Sequence, residues 1–290
     1  MPSQLEPVYR LEATWYTQWQ RQTHVSRFDF RHQLDDRNLI RIYETLNDVR
    51  LLKERIDSSR SLNLFEVGCA TGDFYRYLKL AFPRIRYAGM DISEPAIERA
   101  REKYPQGDFL LHSSGEGMGQ LVKTEFSQDK VEIVYSKDVV HHQIDPLGFL
   151  SQLLQIASEA LIIRCRTRDV GPTELNPERS RQFHYDGWVP FIVLNLKELI
   201  GHIQKEVPTA EVVIVRNHMI LGGQYNRHLP ADCSRKETGT SETAVGIFLK
   251  SDTPGQVSVR DKADNRPNTT IDHKLKSLFR RIRTRFRGNA

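Results

Sequence analysis

Along the chain, short apolar runs alternate with longer stretches of mixed polarity. LNLFEV at 62–67, RYAGMDI at 86–92, DFLLHS at 108–113, VEIVYS at 131–136 and ALIIRCR at 160–166 have the length and composition of strands. Helical spacing lies between them at 72–81, 94–103 and 146–157. Short apolar strands separated by helices imply right-handed βαβ crossovers and a mostly parallel sheet. A loop-rich stretch follows, then a helix near 195–205. AEVVIVRN at 210–217 and TAVGIFLK at 243–250 read as two further strands, a hairpin-like pair joined by a long polar loop. The expected fold is α/β, a seven-stranded mostly parallel sheet with helices on both faces.

Both ends add to this sheet. Residues 1–58 form a helical extension. Leu11, Trp15 and Trp19 recur at helical spacing within 5–22, and Leu39, Ile42, Leu46 and Val49 share one face of a helix over 37–57. These faces are either core-facing stripes or a lid over a pocket. The sheet-forming region spans 59–250. Residues 251–271, with Pro254, Gly255, Asn265, Pro267 and Asn268 among scattered charges, read as a flexible linker. In 272–290, Leu275, Leu278, Phe279, Ile282 and Phe286 fall on one helical face and basic residues fill the rest, a basic amphipathic helix.

Charge sharpens this division. The formal net charge is +5, yet residues 251–290 alone carry ten Lys/Arg and four Asp. The main domain is therefore near neutral, which argues against a broad nucleic-acid groove. Residues 272–287 instead suit an anionic membrane surface, with RNA or a partner protein as alternatives. No apolar run is long enough for a transmembrane helix, and the N-terminus lacks the pattern of a secretory signal. Cys69, Cys165 and Cys233 are odd in number and form no CxxC pair, so neither a disulfide framework nor a metal cluster is expected. The expected location is cytoplasmic, peripheral on the inner face of the membrane if the tail docks there.

The most informative motif is LFEVGCATG at 64–72. A strand runs to an acidic residue, Glu66, and Gly68 and Gly72 then turn the chain into a helix, with Cys69 and Ala70 inside the bend. Glycine lets backbone approach a ligand closely. A NAD-type GxGxxG counted from Gly68 fails at Ala70 and Asp73, and no GK[ST] follows for a P-loop. Twenty-five residues after Glu66, Asp91 in YAGMDIS ends the second strand, where a carboxylate can accept hydrogen bonds from both ribose hydroxyls. Ser93, just before Glu94 and Pro95, suits the N-cap of the next helix and frees Asp91 for a ligand.

The run 64–72 resembles motif I of the class I S-adenosylmethionine (SAM)-dependent methyltransferases, acid-x-Gly-x-Gly-x-Gly, with Ala70 in place of the middle glycine. The resemblance covers roughly residues 60–250. It implies a Rossmann-like domain with SAM as cofactor, held by Glu66, Gly68, Cys69, Ala70, Gly72, Asp91 and Ile92. It also implies that the turn HSSGEGM at 112–118, with Ser114 and Glu116, lies beside the adenine, and that Ser136 and Lys137 line the cofactor. His141 and His142 in VYSKDVVHHQIDP would face the acceptor. A histidine of near-neutral pKa suits a general base for a hydroxyl acceptor. The insertion RQFHYDGWVPF at 181–191 would build the acceptor site through His184, Tyr185 and Trp188. No [DN]PP[YFW] motif occurs, which lowers the odds of base methylation. The expected activity is O-methylation of a small-molecule or glycan hydroxyl. A lipid, quinone or natural-product acceptor, or a non-catalytic membrane-recruited binding module, remain alternatives, and no oligomeric state is implied.

Overall fold

A computed structural model of the chain describes residues 17–21, 25, 29, 33–56, 60–112, 117–184 and 187–261. Ser114, Glu116, Tyr185, most of the expected first helix and the basic tail from 262 onward lie outside the described residues.

The core of the molecule is a sheet of order β12-β9-β11-β5-β4-β1-β2-β3, with β8 pairing β5 beside that path. Its parallel half comprises β1 (Asn63–Val67), β2 (Arg86–Asp91), β3 (Asp108–Leu111), β4 (Val131–Lys137) and β5 (Ala157–Arg168). The spatial order 3-2-1-4-5 is that of a doubly wound Rossmann-like sheet, in which the chain reverses its winding direction between β1 and β4. β11 (Ser241–Phe248) then runs antiparallel between β5 and β9 (Glu211–His218), in register over its whole length on both sides. The expected pairing of the last two strands is thus present. The sheet has nine strands rather than seven, because β8 (Leu194–Asn195) and β12 (Val257–Asp261) also pair. β12 falls inside the stretch read as linker.

Helices cover both faces. In β1, Phe65 and Val67 point to one face and Leu64 to the other, as the two-residue period of a strand requires. Phe65 and Val67 pack with α5 (Met118–Phe126), α6 (Pro146–Ile156) and α7 (Leu196–Glu206). Leu64 packs with α1 (Asp36–Tyr43), α2 (Asn47–Arg55), α3 (Asp73–Ala81) and α4 (Glu94–Lys103). α5, to which the sequence reading assigned no element, buries one face through Met118, Leu121, Val122 and Phe126.

The single helix expected over 37–57 is two. Leu46 is extended at φ −79°, ψ 133°, and Thr45 Oγ1 donates to the Ile42 carbonyl at 2.7 Å, closing α1. The break turns α2 so that Asp48, fully buried, reaches the sheet. There it accepts from Tyr135 Oη and lies 3.7 Å from Arg164. Replacing one partner in such a buried set leaves the others uncompensated.

The stretch after β5 also holds structure that periodicity missed. β6 (Arg181–His184), β7 (Gly187–Pro190) and β10 (Arg227–His228) form a separate three-stranded sheet, order β10-β6-β7. Its strands are too short to show an alternation. No helix among the described residues is long and apolar enough to cross a membrane.

Candidate active site

β1 and β2 are adjacent and parallel, with Glu66 opposite Gly89 and Val67 opposite Met90. Their C-terminal ends therefore lie side by side, with β1 bordering the switch point between β1 and β4, and open α/β sheets bind ligands beyond these carboxyl ends. Beyond β1 the chain bends back over β2. Gly68 and Cys69 both donate to the Met90 carbonyl, at 2.8 and 3.0 Å. The bend needs left-handed backbone at Gly68 (φ 86°), Ala70 (φ 47°) and Gly72 (φ 78°). A Cβ on Gly68 would lie 2.2 Å from Val139 Cγ2. Ala70, the departure from the glycine pattern, adopts the glycine conformation regardless, at a cost of about 1 kcal/mol.

Asp91 closes the bend. Its Oδ2 accepts from Ala70 N at 2.8 Å and its Oδ1 from Ser93 N at 2.9 Å. The expected division of labour between Asp91 and Ser93 is thus revised. Ser93 Oγ makes no cap bond and has no partner among the described residues, while Asp91 holds the turn. A carboxylate has four acceptor positions, and the backbone N–H groups of Ser93, Ala70 and Ile92 occupy up to three of them, which leaves one for a ligand hydroxyl. Burial raises the Asp91 pKa, and the backbone bonds from Ser93, Ala70 and Ile92 oppose the rise.

Glu66 sits deeper, 3% exposed, with Tyr87 Oη donating to it at 2.5 Å. Burial raises its pKa to about 7, against the lowering effects of the Tyr87 bond and Lys137. Cys69 is buried, and burial holds its thiol well above the ordinary range, so it is not a thiolate nucleophile. Ser136 is fully buried and donates to the Val67 carbonyl at 3.0 Å, so its hydroxyl fastens β4 to β1 instead of facing a pocket. Lys137 Nζ lies 5.2 Å from the Tyr43 ring centroid. The Ile92 carbonyl accepts from Gln20 Nε2 at 2.5 Å, and Gln20 Oε1 accepts from Glu94 N at 3.0 Å. Gln20, Glu94, Pro95 and Leu111 line a cavity of about 350 Å³ at the tips of β2 and β3.

The two histidines diverge. They lie on a short 3₁₀ turn, Val140–His142, after β4. His141 is 1% exposed, its Nδ1 has no partner among the described residues, and burial drives its pKa well below the ordinary value. His142 Nδ1 lies 2.6 Å from the Pro190 carbonyl. A carbonyl only accepts, so Nδ1 carries the proton and Nε2 holds the lone pair. Burial lowers the His142 pKa to about 4, not the near-neutral value expected.

Trp19 contacts both His142 (ring centroids 5.2 Å apart) and His184 (5.4 Å). The N-terminal extension therefore reaches the two histidines through Trp19. Strand pairing splits the expected acceptor residues. His184 is opposite Gly187 and Trp188 is opposite Phe183, so the two side chains project from opposite faces of the small sheet. Trp188 packs on the far side, against His228 at 4.5 Å and under Arg181.

One further element fixes this end of β4. Asp138, at φ 62°, binds both Arg164 and Arg166 of β5. Coulombic attraction from the two guanidiniums overcomes burial and holds its pKa well below the usual carboxylate range.

Residues 65–159 match the family model for the methyltransferase domain, a segment that contains Glu66, the bend, Asp91 and both histidines. The resemblance read from residues 64–72 is borne out by that match. No curated protein matches the chain. Among solved structures, one similar fold is the O-methyltransferase from the trans-AT PKS multienzyme of Brevibacillus brevis, in complex with S-adenosyl-L-homocysteine. It is 13% identical, with 69% of this chain and 71% of that chain covered and a TM-score of 0.47. Another is the magnesium protoporphyrin IX methyltransferase of Synechocystis PCC 6803 with bound SAM, 13% identical, covering 80% and 94%, TM-score 0.47. Likeness this distant carries no information on activity or acceptor.

Proposed function

We infer that the chain is a class I SAM-dependent methyltransferase that transfers a methyl group to a hydroxyl of a small molecule or glycan. The observation that carries the reading is Asp91. Its carboxylate stands at the tip of β2, fixed by backbone N–H groups of the glycine bend and the following turn, with an acceptor position left for a ligand. That geometry suits a ribose hydroxyl. The adjacent cavity, walled by Pro95 and Leu111, suits the flat base. The buried carboxyl of Glu66, with a pKa of about 7, ionises readily beside a cationic ligand.

Bound SAM would supply an electrophilic sulfonium methyl, with S-adenosylhomocysteine as the leaving group. The chain's own part is to orient the acceptor and take its proton. With Nδ1–H fixed on the Pro190 carbonyl, His142 Nε2 would accept the proton of the acceptor hydroxyl. A pKa of about 4 makes His142 a weak base, but one that is neutral at every physiological pH and returns its proton to water easily. His141, sealed behind it, positions the turn: its main-chain carbonyl accepts from Ile192 N at 2.7 Å. Asp138, through Arg164 and Arg166, fixes the same turn to β5.

The test combines two measurements on the full chain. Titration calorimetry with S-adenosylhomocysteine (SAH) reads the cofactor site, and transfer of labelled methyl from SAM to a panel of hydroxyl acceptors reads the chemistry. Absence of SAH heat would sink the cofactor assignment. SAH heat without transfer to any hydroxyl would sink O-methylation. The basic segment 272–290 would bring the enzyme to anionic lipid, and liposome sedimentation with and without it tests that role.

A further inference from the structure

The region around β5 is rich in arginines, and most are neutralised. Arg164, Arg166, Arg168 and Arg216 have side chains 11%, 13%, 2% and 12% exposed. Each has a carboxylate. Arg164 and Arg166 share Asp138, Arg166 also meets Glu242 at 3.3 Å, Arg168 meets Asp232 at 3.0 Å, and Arg216 meets Asp169. A buried guanidinium requires such a partner, because removing it from water is costly unless it is paired.

Arg227 breaks the pattern. It is half-buried, its guanidinium lies 4.5 Å over the Phe191 ring, and Nη1 donates only to the Leu221 carbonyl at 3.2 Å. Its Nε is buried without a partner, and no carboxylate among the described residues pairs with it. Burial and the nearby charge of Arg166 both lower its pKa, the mark of a cation held beside another cation.

Its placement is specific. In the three-stranded sheet Arg227 is opposite Gln182, on the face that also carries His184. Phe191 then links it to the candidate base, since the Phe191 and His142 ring centroids are 5.8 Å apart. An uncompensated guanidinium thus stands one aromatic ring away from His142. Arg181 also has no carboxylate partner among the described residues, but it is opposite His228 and lies over Trp188, on the other face of the sheet.

We propose that Arg227 anchors an oxyanion, a carboxylate or phosphate, carried by the methyl acceptor. The proposal rests on the methyltransferase reading and adds the charge of the substrate to it. The planar fork of arginine favours two-point binding of such groups. An acceptor held there by its anion, with its apolar part along Phe191, would bring a hydroxyl about one ring distant to His142.

The test is calorimetry on the full chain loaded with SAH, using benzoate and phenyl phosphate as probes and benzamide as the neutral control. The expected result is that at least one anion binds and benzamide does not. Arg227→Gln should weaken the anion about 10–100-fold, the loss of one charge-assisted contact, with SAH affinity unchanged. Arg181→Gln should leave anion affinity as in wild type. Arg227→Lys keeps the charge without the fork and should fall between, and it serves if the Gln variant does not fold. No binding of either anion by the wild type would overturn the proposal. So would wild-type affinity in Arg227→Gln, or equal losses in Arg227→Gln and Arg181→Gln. If SAH itself gives no heat, the cofactor reading fails on its own. The same anion titrations without SAH then judge Arg227 separately.

Discussion

Asp91→Asn keeps the size of the side chain at the β2 tip and removes its charge. In the wild type, Ala70 N and Ser93 N each reach a separate carboxylate oxygen. The amide offers one oxygen, so one of these N–H groups loses its acceptor. Leaving a buried donor unsatisfied costs about 1–3 kcal/mol. For a chain of this length, roughly 2–4 °C accompanies each kcal/mol, so the ligand-free melting temperature should fall by about 2–12 °C. The cofactor loses a contact as well. A hydroxyl bond to an ionised acceptor contributes about 1.5–3 kcal/mol, so SAH should bind about 10–100-fold more weakly. Thermal melts across an SAH titration read both effects. A ligand at 100 times its dissociation constant stabilises by about 2.7 kcal/mol, a rise of about 5–10 °C for the wild type. The variant should show about half that rise or less at the same concentration. A lower starting temperature with a wild-type rise would refute the reasoning, since the carboxylate would then serve the turn alone.

His142→Ala should lower methyl transfer about 10²–10⁴-fold with SAH affinity retained. The acid limb of the wild-type rate should lie near pH 4, and a limb at pH 6–7 would contradict the burial of the ring. The depressed histidine and the raised Glu66 act oppositely on stability. The folded state binds fewer protons than the unfolded state at His142, so that contribution is complete above pH 6.5 and is lost as pH falls towards 4, by about 3 kcal/mol. At Glu66 the folded state binds more protons, so stability present below pH 4.5 is lost as pH rises through about 7. Glu66→Gln, which keeps an acceptor for Tyr87, should therefore melt higher than wild type at pH 8 and gain nothing at pH 4, read by melting curves at both. Gly68→Ala meets both a positive φ and the Val139 methyl, and should cost at least about 1–3 kcal/mol by denaturant titration.

The parallel half of the sheet was legible because its inner strands are buried on both sides and so read as largely apolar runs, while the edge strand β3 is only partly buried. The glycine bend was legible because only a few residue types tolerate its backbone. What escaped depends on contacts distant in sequence. Nothing near Ser136 reveals that Val67 accepts its hydroxyl. Nothing near His142 reveals the Pro190 carbonyl that fixes its tautomer, forty-eight residues on. His184 and Trp188 looked like one cluster because they are close in sequence, but the pairing register of β6 with β7 puts them on opposite faces. Arg227, in a loop-rich stretch, gave no sequence signal at all. Its meaning comes from the missing carboxylate, which only the spatial arrangement exposes.

The position of β11 has a consequence for how the chain assembles during synthesis. This strand is made after both of its neighbours, yet it lies between β5 and β9, pairing with each over eight residues from Ser241 to Phe248. A nascent chain that has emerged only to residue 240 presents ALIIRCR of β5 as an unpaired apolar edge. Such an edge is prone to pair with a neighbouring chain. Truncations ending before residue 241 should therefore aggregate rather than yield a smaller soluble protein, even though every residue of the methyltransferase-domain match, 65–159, would be intact.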